Sequence, residues 1–124
     1  MGEVTRKKIL VVEDDASIRR MLELSLQRIY EVRVAEDGPS GLEMAKAWLP
    51  DLFLLDVMVP GMTGIELARE LRKVPGLERV PLAFLTAKDD PKSMAEGIIT
   101  GARHYIVKPF SLQEVMKLIE RMLR

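Results

Sequence analysis

The chain has 124 residues, in which 19 lysines and arginines balance 19 aspartates and glutamates, and it has no cysteine. This length suits one hydrophobic core and is too short for two well-packed ones, so we expect a single domain over residues 1–124. The balanced charge excludes a global attraction to nucleic acid or to an anionic membrane, and the lack of cysteine excludes disulfides and thiolate metal sites.

Five short apolar runs that are rich in branched residues predict five buried β-strands. Segments in which apolar residues recur at helical spacing follow each of these runs. The chain is therefore predicted to form a strand and then a helix, repeated five times. The runs cover residues 9–12, 32–35, 52–55, 82–85 and 105–107.

Helical spacing is clearest in the first and the last of these segments. The fourth predicted helix, residues 91–99, is the weakest helix former because it contains Gly97 and ends in β-branched residues. We expect it to be the most movable helix. The predicted inner faces are Ile18, Leu22, Ser25 and Ile29 in the first helix, and Val115, Leu118, Ile119 and Met122 in the last.

Local signals mark where four of the helices begin. A hydroxyl residue followed three positions later by glutamate has the spacing of a capping box, and proline is favoured in the first helical turn. The signals are Thr63 with Glu66, Ser111 with Glu114, Pro39 after Gly38, and Pro91 after Asp90.

The strict alternation of strands and helices predicts an α/β fold. We expect a single-domain, doubly wound (βα)5 sandwich, in which helices cover both faces of a parallel five-stranded sheet. Ligands of such open sheets bind beyond the carboxyl ends of the strands. The residues that directly follow each strand are therefore the best candidates for a functional site.

Carboxylates, a hydroxyl and an amine follow four of the predicted strands. Carboxylates packed at one edge repel one another unless a proton, a cation or a hard metal ion intervenes, and Lys108 supplies only one positive charge. Mg²⁺ suits the site because it binds a few carboxylate oxygens and also phosphate oxygens. Phosphoryl chemistry with Asp56 as nucleophile, forming an aspartyl phosphate, is the favoured interpretation. The residues are Glu13, Asp14 and Asp15, then Asp56, Thr86 and Lys108.

Four sequence strings at these strand ends resemble the signatures of response regulator receiver domains. The resemblance extends over nearly the whole chain, with a core of about residues 8–123. Each string alone is moderately specific, but four in the right order make chance agreement improbable. The strings are ILVVEDD at 9–15, LLDVMVPGMTG at 54–64, LTA at 85–87 and YIVKPF at 105–110.

The resemblance implies a flavodoxin-like fold with strand order 2-1-3-4-5 and a role for each matching residue. Asp56 resembles the phosphoacceptor and also contributes to the metal site, while Lys108 resembles the amine that binds a phosphoryl oxygen. Asp14 resembles the direct metal carboxylate, and Glu13 resembles the second acidic position. Met58 is implied to offer its backbone carbonyl to Mg²⁺.

The resemblance also implies a switch. Thr86 resembles the hydroxyl residue that moves to the phosphoryl group, and Tyr105 resembles the aromatic residue that then turns inward. A cis peptide bond is implied before Pro109. The switched surface would comprise the fourth helix, the fifth strand and the fifth helix.

The implied partners are proteins. A sensor histidine kinase or a histidine phosphotransfer protein would donate the phosphoryl group, and a downstream output protein or domain would read the switched surface. The chain itself is expected to bind neither nucleic acid nor a membrane, and to act as a switch rather than as an enzyme. A cytoplasmic location is expected, because no apolar run approaches the roughly 18 residues of a membrane span and no export signal begins the chain.

Two positions depart from the common receiver pattern in an informative way. Met58 and Lys88 lie two residues beyond Asp56 and Thr86, where side chains influence the lifetime of the phosphoryl group. Methionine binds an attacking water poorly, so we predict slow autodephosphorylation.

Arg103 and His104 stand where acidic residues often support a receiver dimer, which weakens the case for that dimer.

Three other functions are weaker interpretations. A Mg²⁺-dependent phosphohydrolase would need a second carboxylate two residues beyond Asp56, where Met58 stands. A flavin or nucleotide module would need a loop after the first strand that is rich in glycine or hydroxyl residues, and here that loop is acidic. An inactive pseudo-receiver would not be expected to keep the acidic, hydroxyl and amine residues together. The acidic triplet could also be ordinary helix-start charge.

Overall fold

The computed structural model describes residues 5–87 and 104–124, and it contains a five-stranded parallel sheet of order β2-β1-β3-β4-β5. This order is the one that the receiver resemblance implies, so the predicted fold class is confirmed. The lysine before Pro109 is joined to it by a cis peptide bond, as the resemblance also implies. The strands are β1 (Lys8–Val12), β2 (Glu31–Ala35), β3 (Leu52–Asp56), β4 (Leu82–Ala87) and β5 (His104–Lys108).

Four helices are described, and their caps explain where they begin. Thr63 and Ser111 accept hydrogen bonds from the backbone three residues ahead, and Ser111 with Glu114 forms a complete capping box. Asp15 and Asp37 cap the first two helices in the same way. The helices are α1 (Ala16–Leu26), α2 (Gly38–Trp48), α3 (Gly64–Arg72) and α4 (Leu112–Met122). The fourth helix predicted from sequence, residues 91–99, lies outside the described residues.

Apolar side chains on the two faces of the sheet form two hydrophobic clusters. On one face, Leu10 and Phe53 pack with residues of α2 and α3. On the other face, Ile9 and Leu54 pack with residues of α1 and α4. Burial of both faces fixes the register of the strands, since a shift by one residue would exchange the two sets of side chains. The carboxyl edge of the sheet is thereby held in one geometry.

The prediction of five buried strands is wrong for the two strands at the edges of the sheet. β1 and β3 are almost wholly buried, whereas β2 is exposed at Glu31 and Arg33, and β5 is exposed at Val107. An edge strand has a neighbour on one side only, so its side chains meet fewer covering residues. Short apolar runs do not distinguish a central strand from an edge strand.

The predicted inner face of the first helix is also wrong at one position. α1 ends at Leu26, and Ile29 lies beyond it in the turn to β2, where half of its surface is exposed. In the last helix, Val115, Leu118 and Ile119 are buried as predicted. Among the described residues, no helix is both long and apolar enough to cross a membrane.

Candidate functional site

Three carboxylates and one amine from the strand ends lie together at the carboxyl edge of the sheet. Glu13 and Asp14 follow β1 directly, Asp56 is the last residue of β3, and Lys108 is the last residue of β5. One carboxylate oxygen from each of the three acidic residues lies within 4.8 Å of the others. Asp14 is exposed, whereas 0% of Glu13 and 5% of Asp56 are accessible to solvent. The cluster therefore has two buried carboxylates and is open to solvent on the side of Asp14.

The ammonium of Lys108 lies between the two buried carboxylates. Its Nζ is 3.0 Å from Asp56 Oδ2, to which it donates a hydrogen bond, and 2.7 Å from Glu13 Oε1. Burial alone would lower the pKa of this amine, but its close interactions with Glu13 and Asp56 outweigh that effect and raise the pKa. Lys108 therefore stays charged and neutralises part of the acidic cluster.

The buried carboxylate of Glu13 lies in an environment that disfavours its negative charge. Burial is the main cause that raises its pKa from 4.5 to about 8, and a hydrogen bond to Asp56 raises it further, against the opposing effect of Lys108. Glu13 Oε2 accepts from the Asp15 backbone N–H at 3.3 Å. Oε1 is fully buried and, among the described residues, accepts no hydrogen bond of ordinary geometry despite its proximity to Lys108. A second cation would relieve this carboxylate.

The donor set of this cluster fits Mg²⁺. Magnesium prefers hard oxygen ligands, binds through one or two protein carboxylates and keeps several waters, which needs an open side. Asp14 provides an exposed carboxylate, and Asp56 and Glu13 provide two buried ones. The residues present are therefore suited to holding this ion.

The loop between β3 and α3 fixes the carboxylate of Asp56. Asp56 Oδ1 accepts a hydrogen bond from the Met58 backbone N–H at 3.0 Å. The loop then turns through Gly61, whose φ of +86° favours glycine, and closes where the Gly64 N–H donates to Val57 O at 2.8 Å. The Met58 side chain is 70% exposed.

Asp15 does not belong to the acidic cluster. Its Oδ1 accepts from the Ile18 backbone N–H at 3.0 Å, so it acts as the N-cap of α1. The ordinary interpretation of the acidic triplet, charge at a helix start, is thus right for this residue. Glu13 and Asp14, which precede it, lie with Asp56 instead.

The two residues of the predicted switch lie on the neighbouring strands β4 and β5. Thr86 is buried, with 1% of its surface accessible, near the end of β4. Tyr105 is partly buried, and its ring stacks on Phe84 with 5.9 Å between ring centroids. Burial raises the pKa of the Tyr105 hydroxyl. His104 is partly buried at the start of β5, while Lys88 and Arg103 lie outside the described residues.

Sequence reasoning missed one residue that contacts the acidic loop. Arg19 Nη1 donates to the backbone carbonyl oxygens of Glu13, at 3.0 Å, and Asp14, at 3.2 Å. Its position four residues after the N-cap Asp15 places it one helical turn into α1, where a long side chain can reach back to the preceding loop. The spacing between Asp15 and Arg19 is the feature of the sequence that could have predicted this contact.

Replacement of Glu13 by glutamine is expected to stabilise the metal-free protein at high pH. Because the folded state holds a proton on Glu13 that the unfolded state has lost, the stability of the parent should fall as pH rises from 4.5 towards about 8. Above that range, the free energy of unfolding of Glu13→Gln should exceed that of the parent by a few kcal/mol, on the order expected for such a pKa shift. Urea unfolding in chelator at about pH 6 and about pH 9 measures it.

The exposed Glu31 on β2 provides a control for this comparison. Glu31→Gln should follow the parent at both pH values, and Mg²⁺ should stabilise the parent more at the higher pH, where no proton competes for Glu13. Equal pH dependence of the parent and Glu13→Gln would contradict the assignment of a buried, strained carboxylate.

Comparison with known proteins identifies the family. The model of the response regulator receiver domain matches residues 9–120, and the chain belongs to this family. It is thus a receiver domain of two-component response regulators, a family of signalling switches rather than classical enzymes. The whole site described above lies within the matched residues.

Individual relatives agree with this assignment. The chain is 41% identical to the response regulator ArlR of Staphylococcus saprophyticus over 118 residues, which are 94% of this chain and 52% of that protein. It is 42% identical to the phosphate regulon regulator PhoB of Rhizobium meliloti, with the same two coverages. The chain spans about half the length of these curated relatives.

A solved structure matches the chain along nearly its full length. The chemotaxis response regulator CheY4 of Vibrio cholerae superposes with a TM-score of 0.90 at 36% sequence identity, and the match covers 96% of this chain and 100% of that one. The overall architecture of this chain is therefore that of a CheY-like receiver.

Proposed function

We propose that this receiver accepts a phosphoryl group on Asp56 with the help of Mg²⁺ and thereby switches a protein-binding surface. The observation that supports this most directly is that the Asp56 carboxylate accepts a hydrogen bond from the Lys108 ammonium and lies within 4.8 Å of the carboxylates of Glu13 and Asp14. A carboxylate nucleophile needs cations near the phosphoryl oxygens and an open approach. The geometry of this strand edge supports both the nearby positive charge and the open approach.

The chemical step is a displacement at phosphorus. An oxygen of the Asp56 carboxylate attacks the phosphoryl group, a bond forms between that oxygen and phosphorus, and the bond to the donor breaks with its electron pair leaving on the donor. Mg²⁺, when bound by Asp14, Asp56, Glu13 and the Met58 carbonyl, supplies positive charge for the phosphoryl oxygens. Lys108, 3.0 Å from Asp56 Oδ2, transfers its hydrogen bond from the carboxylate to a phosphoryl oxygen.

Thr86 and Tyr105 would convert this chemistry into a change of surface. Thr86 lies near the end of β4, one strand from Asp56, and its hydroxyl would move towards the new phosphoryl group. The partly buried Tyr105 on the adjacent β5 would then turn inward. The surface affected comprises β5, α4 and the predicted helix at residues 91–99. An element with two such arrangements is the basis of a phosphorylation switch.

The proposed partners follow from the family. A sensor histidine kinase or a histidine phosphotransfer protein donates the phosphoryl group, and an output protein or domain reads the switched surface. Relatives such as MtrA of Mycobacterium tuberculosis are named DNA-binding response regulators, and the chain matches 53% of that protein. We assign DNA binding, where it occurs, to the other part of such proteins and not to the residues of this chain. The proposed location is the cytoplasm.

Incubation of the protein with acetyl phosphate tests the proposal. Intact mass spectrometry should detect one added phosphoryl group in the parent with Mg²⁺, and none in Asp56→Ala or when a chelator removes Mg²⁺. Circular dichroism of the variant checks that it is folded. An adduct that forms equally in Asp56→Ala, or equally without Mg²⁺, would refute the proposal, and steady release of phosphate would favour a phosphohydrolase.

The phosphoryl group is expected to be long-lived. The exposed Met58 side chain, two residues beyond Asp56, orients an attacking water poorly, since its thioether is a weak acceptor and no donor. A Met58→Asn, Lys88→Glu variant should lose the phosphoryl group faster than the parent, because its polar side chains can hydrogen-bond an attacking water. Loss of label after removal of the donor measures both rates, and equal rates would contradict the hypothesis.

A further inference from the structure

We propose that Arg19 is a positioning residue that holds the acidic loop in the conformation that binds Mg²⁺. The inference rests on the proposed function, since it concerns the same site. Arg19 lies in the first turns of α1, outside the cluster of carboxylates, and acts on their backbone rather than on the ion. Nothing in its role requires contact with the phosphoryl group.

Arg19 contacts the backbone of the two acidic residues that directly follow β1. A single nitrogen, Nη1, donates to the carbonyl oxygens of Glu13 and Asp14, at 3.0 Å and 3.2 Å. These two peptide groups are therefore fixed by one cation, and hydrogen bonds from a charged donor are stronger than those from a neutral one. Only 18% of the Arg19 side chain is accessible, so it is shielded from competing water.

The backbone on either side of these contacts is held as well. The Glu13 N–H donates to Ala35 O at 3.0 Å, and the Asp15 carboxylate caps α1. Without Arg19, the peptide groups between these two fixed points would lose their shared donor and could rotate. Rotation of the Asp14 peptide would move a side chain that is exposed and has no buried surface of its own to restore it. Metal ligands held by such outer contacts lose affinity when the contact is removed.

A second contact orients the guanidinium itself. Arg19 Nη2 lies 3.9 Å from Glu36 Oε1 in the turn after β2. Glu36 is largely exposed, so this ion pair contributes little energy on its own. Its effect is directional, because it occupies the outer edge of the guanidinium and leaves Nη1 for the loop carbonyls.

Titration with Mg²⁺ alone, without a phosphodonor, tests the proposal by calorimetry. Arg19→Met should bind Mg²⁺ about tenfold more weakly than the parent, in line with the loss of an outer contact to a metal ligand. The neighbouring Arg20 is exposed, and Arg20→Met should bind Mg²⁺ as the parent does. Arg19→Lys keeps the charge but loses the planar guanidinium, so its affinity for Mg²⁺ should lie between those of Arg19→Met and the parent. This variant serves as the test if Arg19→Met does not fold.

Phosphorylation by acetyl phosphate gives a second readout. The rate of Arg19→Met should be reduced at low Mg²⁺ and should approach that of the parent when Mg²⁺ is saturating, because a positioning residue changes metal affinity and not the chemical step. A variant that is merely destabilised would unfold more easily and still bind Mg²⁺ with the affinity of the parent, and that result would overturn the proposal. A parent that binds no Mg²⁺ would overturn both this inference and the proposed function.

Discussion

Replacement of Gly64 by alanine should destabilise the protein by about 2 to 4 kcal/mol, the upper range for overpacking of a buried site. A Cβ at this position would meet the backbone carbonyl oxygen of Asp56, and it would lie 2.9 Å from the Asp56 carbonyl carbon and 3.0 Å from Val57 Cα. Backbone atoms of a central strand cannot move aside as a side chain can. The strand end that carries Asp56, the proposed phosphoacceptor, would therefore have to shift.

Gly38→Ala is the matched control for this prediction. Gly38 is also buried at the start of a helix, but there the nearest obstacle to a Cβ is the Met62 side chain, which can change rotamer. Urea unfolding should therefore record a smaller loss, and the phosphorylation rate of Gly64→Ala should fall more than that of Gly38→Ala. A loss below about 1 kcal/mol in Gly64→Ala would contradict the close packing of α3 against β3.

Lys108→Met should slow phosphorylation by about two to three orders of magnitude, the effect expected when one charged donor to a reacting centre is removed. Methionine keeps much of the apolar stem, so the variant loses the ammonium that lies 3.0 Å from Asp56 Oδ2. The measurement is the rate of adduct formation with acetyl phosphate at saturating Mg²⁺.

Lys117→Met provides the control, because Lys117 is exposed on α4. It should react at the rate of the parent. Lys108→Arg should not restore the rate fully, since a planar guanidinium replaces a compact ammonium between the two carboxylates. A rate in Lys108→Met within tenfold of the parent would exclude Lys108 from the chemical step.

The position of the site was predictable because of a property of parallel sheets. Once the five strands are placed, their carboxyl ends share one edge, and Glu13, Asp56 and Lys108 are expected to lie along it. The order of the strands came from the receiver resemblance and not from the apolar runs themselves. The structure confirms that order.

Features that depend on side-chain geometry were not predictable from sequence. Asp14 and Asp15 are adjacent and chemically identical, yet one lies in the acidic cluster and the other caps α1. The strong upward shift of the Glu13 pKa arises from complete burial, which the sequence of a strand end does not reveal. The reach of Arg19 back to the loop likewise depends on where α1 begins.

Chemical trapping of the acyl phosphate tests the central claim most directly. After reaction with acetyl phosphate and Mg²⁺, borohydride reduces an aspartyl phosphate to homoserine, and peptide mapping locates the converted residue. The proposed function predicts homoserine at position 56 alone, and none when Mg²⁺ is withheld. Conversion at position 14 or 15, or at no position in folded protein that carries the added phosphoryl mass, would contradict it.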